Sequence, residues 1–127
     1  MYVHLLVDEN GGFSLPVEII SERYLTLSEV REILEERERE GRLNHAQRNT
    51  LEYVRLFAKL PAKKSRELVN TLIEKYKLRE LTATQIANVL PQTVEELRVF
   101  LTDEVKVFTK DELEEILSTI NSFLEEK

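Results

Sequence analysis

From Thr26 to the C-terminus, apolar positions recur at the three- and four-residue spacing of helices with one buried face. Thr26-x-x-Glu29 is a capping box, and Leu27, Val30, Ile33 and Leu34 then share one side. Nothing apolar follows until Leu43, so the turns "EEREREG" are solvated. Arg31–Glu35 and Glu35–Arg39 are i,i+4 pairs there, and Gly41 suits a C-cap. Asn44-x-x-Gln47 opens a second helix. Leu51, Val54 and Ala58 lie on one side, with Tyr53, Phe57 and Leu60 beside them toward the core. Pro61 sits where a first helical residue tolerates it. Leu68, Val69, Leu72, Ile73 and Tyr76 mark a third helix.

The stretch "IANVLPQTVEELRVFL" holds a stop and a start. Thr82-x-x-Gln85 is expected to cap a short helix through Ile86, Val89 and Leu90, which Pro91 ends. Thr93-x-x-Glu96 opens the next, with Val94, Leu97, Phe100 and Leu101. After the connection "EVKVF", Thr109-x-x-Glu112 begins a final helix. Its apolar stripe is Leu113, Ile116, Leu117, Ile120, Phe123 and Leu124.

Residues 1–25 read differently. "MYVHLLV" and "FSLPVEII" are short, β-branched and aromatic, with the turn signal Asn10-Gly11 between them. The pattern predicts a hairpin or two extended segments, and Pro16 suits an edge. Val3, Leu5 and Val7 alternate on one side, and Val17, Ile19 and Tyr24 continue the role. Two strands alone are marginal in water. They either cover the helical body or join a partner's sheet. The expected fold is mainly α: an extended arm over residues 1–25, then a helical bundle over residues 26–127.

The length of 127 residues suits one domain, and one third of the residues are charged. There is no cysteine, no membrane-length apolar run and no signal-peptide pattern, so a cytoplasmic location is expected. The net charge of −6 argues against nonspecific nucleic-acid binding by the whole surface. Yet Arg42, Arg48, Arg55, Lys59, Lys63, Lys64 and Arg66 face a single acid, Glu52, within residues 42–66. Arg48, Arg55, Lys59, Lys63, Lys64 and Arg66 are either a ridge able to hold a phosphate backbone or an ordinary charged surface. With Tyr53 and Phe57 turned to the core, base stacking is not expected.

Catalytic chemistry finds little support. The two histidines, His4 and His45, are far apart and lack metal-ligand spacing. No phosphate-loop or dinucleotide motif is present, and Gly11-Gly12 reads as a turn. The 24 acids lie mostly on solvated helix faces. No catalytic, cofactor or metal site is expected.

Three segments in order carry a family resemblance: "ISERYLTLSEVREILEERE", "QRNTLEYVRLFAKLPAKKSRELVNTLIE" and "TATQIANVLPQTVEELRVFL". Together they resemble the F subunit of archaeal RNA polymerase, the counterpart of the fourth subunit of eukaryotic polymerase II, over residues 19–127. The resemblance implies an HRDC-like helical body and an N-terminal part packed on the polymerase's E subunit, which carries an OB/S1-type RNA-binding domain. It implies a non-catalytic stalk that supports open-complex formation, meets initiation factors and handles emerging RNA. Val3, Leu5, Val17, Ile19, Ile20, Tyr24 and Leu25 are then the expected partner interface, and the basic ridge an auxiliary RNA contact. "MYVHLLVDENGGFSLPVE" lies ahead of the resembling region. Rival readings are an independent HRDC-type nucleic-acid-binding module and a helical adaptor between proteins.

Overall fold

The computed structural model describes residues 3–7 and 21–125, with the backbone alone for residues 3–7 and 21–23. Two strands, β1 (Val3–Val7) and β2 (Ser21–Leu25), pair antiparallel with Val3 opposite Leu25 and Val7 opposite Ser21. The second strand therefore lies later in the chain than "FSLPVEII" suggested. Asn10-Gly11, Pro16, Val17, Ile19 and Ile20 lie outside the described residues. Thirteen residues separate the strands, too many for a two-residue turn at Asn10-Gly11 to join them directly.

Thr26 alone separates β2 from helix α1 (Leu27–Arg39). The capping box forms as expected: Thr26 Oγ1 accepts the Glu29 amide at 3.1 Å, and Glu29 Oε1 accepts the Thr26 amide at 2.9 Å. At the other end the Gly41 amide bonds the Glu38 carbonyl and the Arg42 amide bonds the Arg37 carbonyl. That closure needs a left-handed residue, and Gly41 supplies it at φ 69° without a Cβ clash. Helix α2 (His45–Phe57) starts at its own Asn44/Gln47 box. Leu25, Leu27, Val30, Leu34, Leu43, Leu51 and Val54 form a small core between α1 and α2.

The larger core belongs to α3 (Ala62–Tyr76), α4 (Glu80–Val89), α5 (Val94–Leu101) and α6 (Lys110–Glu125). Leu68, Leu72, Ile86, Leu97, Leu113, Ile116 and Ile120 are fully or almost fully buried there. Each comes from a stripe legible in the sequence. The molecule is mainly helical, a bundle with a small strand pair at its N-terminal end. Among the described residues no helix is long and apolar enough to cross a membrane.

Helix α4 begins at Glu80, two residues before Thr82, and its N-cap Arg79 makes no side-chain cap bond. Thr82 is buried in the first turn, so Thr82-x-x-Gln85 is not a capping box. Packing against α3 outweighs that local signal. The end of α4 does fall where Pro91 requires. Leu90 turns left-handed at φ 55°, its amide bonds the Ile86 carbonyl at 2.8 Å, and Thr93 Oγ1 caps α5 through the Glu96 amide. The joint is two helices turning a corner. A left-handed leucine is unfavourable by about 1 kcal/mol. Its side chain is buried in the main core, and that burial holds it in place.

A polar seam joins the two cores. The Leu27 amide donates to Asn88 Oδ1 at 2.8 Å, and the hydroxyls of Thr26 and Ser65 lie 2.6 Å apart. All four residues are buried. The start of α1 is thereby fixed to the start of α3 and the end of α4.

Candidate partner interface

Tyr24 is the point where the strand pair meets the helical body. Its amide donates to Glu80 Oε1 at 3.2 Å, from the first turn of α4. Its carbonyl accepts from the Arg66 guanidinium at 2.9 Å, on α3. Arg66 also grips Glu29 in a two-point pair, Nε to Oε2 at 3.0 Å and Nη2 to Oε1 at 2.5 Å. Both side chains are largely shielded from water, which strengthens such a pair. Glu29 therefore caps α1 and anchors Arg66 with one carboxylate. The sequence signalled the first role through the capping box and held no signal for the second, because Arg66 lies 37 residues away.

Leu25 is fully buried inside the chain's own core, against α1 and α2. Its side chain belongs to that core. Tyr24 is half-buried, and Val3 and Leu5 lie on β1.

The six basic positions do not behave as one ridge. Arg55 bonds Glu38 at 2.9 Å and lies 3.7 Å from Glu35, both on α1. The Glu38 hydrogen bond raises the Arg55 pKa further. Lys59 donates to the Val89 carbonyl at the end of α4 at 2.8 Å. Arg66 is committed to Glu29 and Tyr24. Lys63 lines a mixed-charge groove with Glu29, Glu32, Arg66 and Glu67. Arg48 is exposed on α2. Folding places acids from α1 against the basic middle and breaks up its charge.

Phe57 departs from expectation, whereas Tyr53 packs against the core between α1 and α2. Phe57 is 48% exposed and Tyr53 is half-buried, with ring centroids 4.7 Å apart. With Leu27, Lys59, Asn88 and Val89 they line a pocket of about 240 Å3, and Leu56 beside them is 80% exposed. Among the described residues helix α2 packs chiefly on α1. A second exposed apolar group, Val99, Val105 and Val107, lies at α5 and the α5–α6 connection. The periodicity of α2 pointed Phe57 inward because a helical wheel gives spacing and not how far neighbouring elements cover a flank.

The sequence comparisons bear on what these surfaces serve. The family model for RNA polymerase Rpb4 matches residues 24–124, from the clamped Tyr24 nearly to the end of α6. The DNA-directed RNA polymerase subunit Rpo4 of Methanocaldococcus jannaschii is 35% identical over 111 residues, covering 84% of this chain and 90% of that protein. A match spanning both cores and the seam between them is carried by the whole described helical body, and the chain belongs to the RNA polymerase Rpb4 family.

Proposed function

We propose that this chain is the non-catalytic stalk subunit of an archaeal-type DNA-directed RNA polymerase, forming a heterodimer with the polymerase's E subunit. It works by presenting surface: the N-terminal arm, residues 1–25, binds the partner, and the helical body, residues 26–127, holds that arm in place. Through the pair it supports open-complex formation, meets initiation factors and handles exiting RNA in the cytoplasm. The observation that carries this reading is the family match over residues 24–124, together with the similarity to a named polymerase subunit across most of both chains.

Any RNA contact of its own is auxiliary. Arg55, Lys59 and Arg66 each hold an acceptor within the chain, which lowers the positive charge available to a phosphate backbone.

The test is affinity purification of the tagged chain from its native cells, with mass spectrometry of the proteins that accompany it. Co-purification of the E subunit and the large polymerase subunits is the expected result. Recovery of the chain alone, or with proteins unrelated to transcription, overturns the stalk assignment.

A further inference from the structure

The apolar interior divides along the sequence. The seven buried apolar residues of the small core run from Leu25 to Val54. The fifteen of the main core run from Leu60 to Ile120. Among the described residues none belongs to both. Each core is therefore built from one continuous stretch, and the chain passes between them at Lys59.

Hydrogen bonds and an ion pair tie the two stretches together. Leu27 bonds Asn88, Thr26 bonds Ser65, Tyr24 bonds Glu80 and Arg66, and Arg66 holds Glu29. Beside the crossing, Arg31 of α1 donates to the Leu60 carbonyl at 3.2 Å. Thr84 lies on α4 between Glu80 and Asn88, one turn from each and on the same face. Its hydroxyl is buried and has no hydrogen-bond partner among the described residues.

Apolar and polar contacts respond differently to separation. Parting apolar surfaces costs free energy in proportion to the area exposed. Parting hydrogen-bonded groups exchanges protein partners for water, and the net loss per bond is small. The unmet Thr84 hydroxyl even gains a partner on opening. The two sides also differ in what they can sustain alone. Helices α1 and α2 have 13 residues each, and isolated helices of about that length are marginal in water. Helices α3–α6 keep a core twice as large.

We propose that β2, α1 and α2 form one cooperative unit that detaches from α3–α6 at Lys59 and unfolds while the four-helix core stays intact. Proteins open in such units below the free energy of global unfolding. The unit carries Tyr24, so opening releases the strand pair from Glu80 and Arg66. Any ligand that prefers the docked arrangement draws the unit closed by mass action.

Native-state amide exchange on the full chain, in urea below the unfolding transition, tests this together with Ile116→Val. Ile116 is fully buried in the main core, which is intact in both the closed and the open form. In the wild type, the slowest amides of α1 and α2 are expected to converge on one urea dependence. They exchange at least about tenfold faster than the slowest amides of α3 and α6, after correction for intrinsic rates. In Ile116→Val, α3 and α6 exchange about two- to tenfold faster, and α1 and α2 are unchanged. Equal acceleration of all six helices overturns the proposal, because it means a single cooperative unit. Scattered urea dependences within α1 and α2 overturn it as well, because they mean local fraying.

A staple across the boundary gives an independent check. The Thr26 and Ser65 hydroxyls lie 2.6 Å apart, so sulfur atoms placed there are near bonding distance, and the chain has no cysteine of its own. In the double variant Thr26→Cys/Ser65→Cys, oxidation is expected to slow α1 and α2 exchange toward that of α3 and α6, and reduction to restore it. The same α1 and α2 rates in both redox states overturn opening at this boundary.

Discussion

Asn88 Oδ1 accepts the amide hydrogen of Leu27 at 2.8 Å, across 61 residues of sequence. Leu27 is the first residue of α1, where an amide has no partner within the helix. Asn88 lies near the end of α4. One buried side chain thus satisfies the start of one helix from the last turn of another. Asn88→Ala leaves the Leu27 amide buried and unpaired, and is expected to destabilise the fold by about 1–3 kcal/mol. Urea denaturation checks this; an unchanged midpoint would show that water replaces the carbonyl at no cost.

Arg66→Met keeps the aliphatic length and removes the bonds to Glu29 and Tyr24. A loss of about 1–3 kcal/mol is expected, because hydrogen bonds to charged groups are involved and the pair is mostly shielded. The amides of β2 should also exchange faster, since the ribbon loses an anchor. Stability equal to wild type would mean that Glu80 alone holds Tyr24.

Charge reversal at Lys63 and Lys64 addresses a different surface. Lys63 is exposed and Lys64 half-buried on the first turn of α3. The double change to Glu is expected to leave the heterodimer intact and to weaken its RNA binding only mildly. Lost pairing would place this part of α3 in the interface.

Among the described residues two non-glycine residues, Lys77 and Leu90, adopt positive φ, and they make opposite predictions. Lys77 is exposed at φ 60° just after α3, where glycine is the unstrained choice. Lys77→Gly is expected to stabilise the protein by ~0.5–1 kcal/mol, raising Tm by a few degrees. Leu90 has the same backbone shape and a buried side chain. Leu90→Gly relieves a similar strain and forfeits the packing of a core leucine, so a net loss of about 1–3 kcal/mol is expected. Calorimetry on the two variants should show shifts of opposite sign.

The Glu112 carboxyl is lowered from 4.5 to about 2. The Lys106 ammonium at 2.6 Å is the main cause, and the Thr109 amide adds to it. A carboxyl depressed in the folded state stabilises the fold fully above its unfolded pKa. That contribution is lost as pH falls from about 4.5 through about 2. Glu112→Gln retains a cap for the Thr109 amide and does not titrate. The acid limb of its stability curve is therefore expected to be shallower in that window. An acid limb superimposable on wild type would remove Glu112 from the acid response.

The sequence by itself determined the helical elements of this protein. Stripes such as Leu113–Ile116–Ile120, the boxes at Thr26, Asn44 and Thr109, and the corner at Pro91 are local signals, and local hydrogen bonding and burial enforce them. The family resemblance was legible for the same reason, since its motifs are those helices in order. Only the tertiary structure decided the rest. Leu25 reads as one more apolar residue of an extended arm, and packing puts it in the core. Arg66 reads as part of a basic ridge, and Glu29 from α1 takes its charge. Phe57 reads as core, and the fold leaves it 48% exposed. Thr82 reads as a cap, and its burial against other helices moves the start of α4. In each case the deciding partner lies elsewhere in the chain. Periodicity and capping rules see only a few residues along the chain, whereas burial and ion pairing depend on what folding brings within a few ångströms.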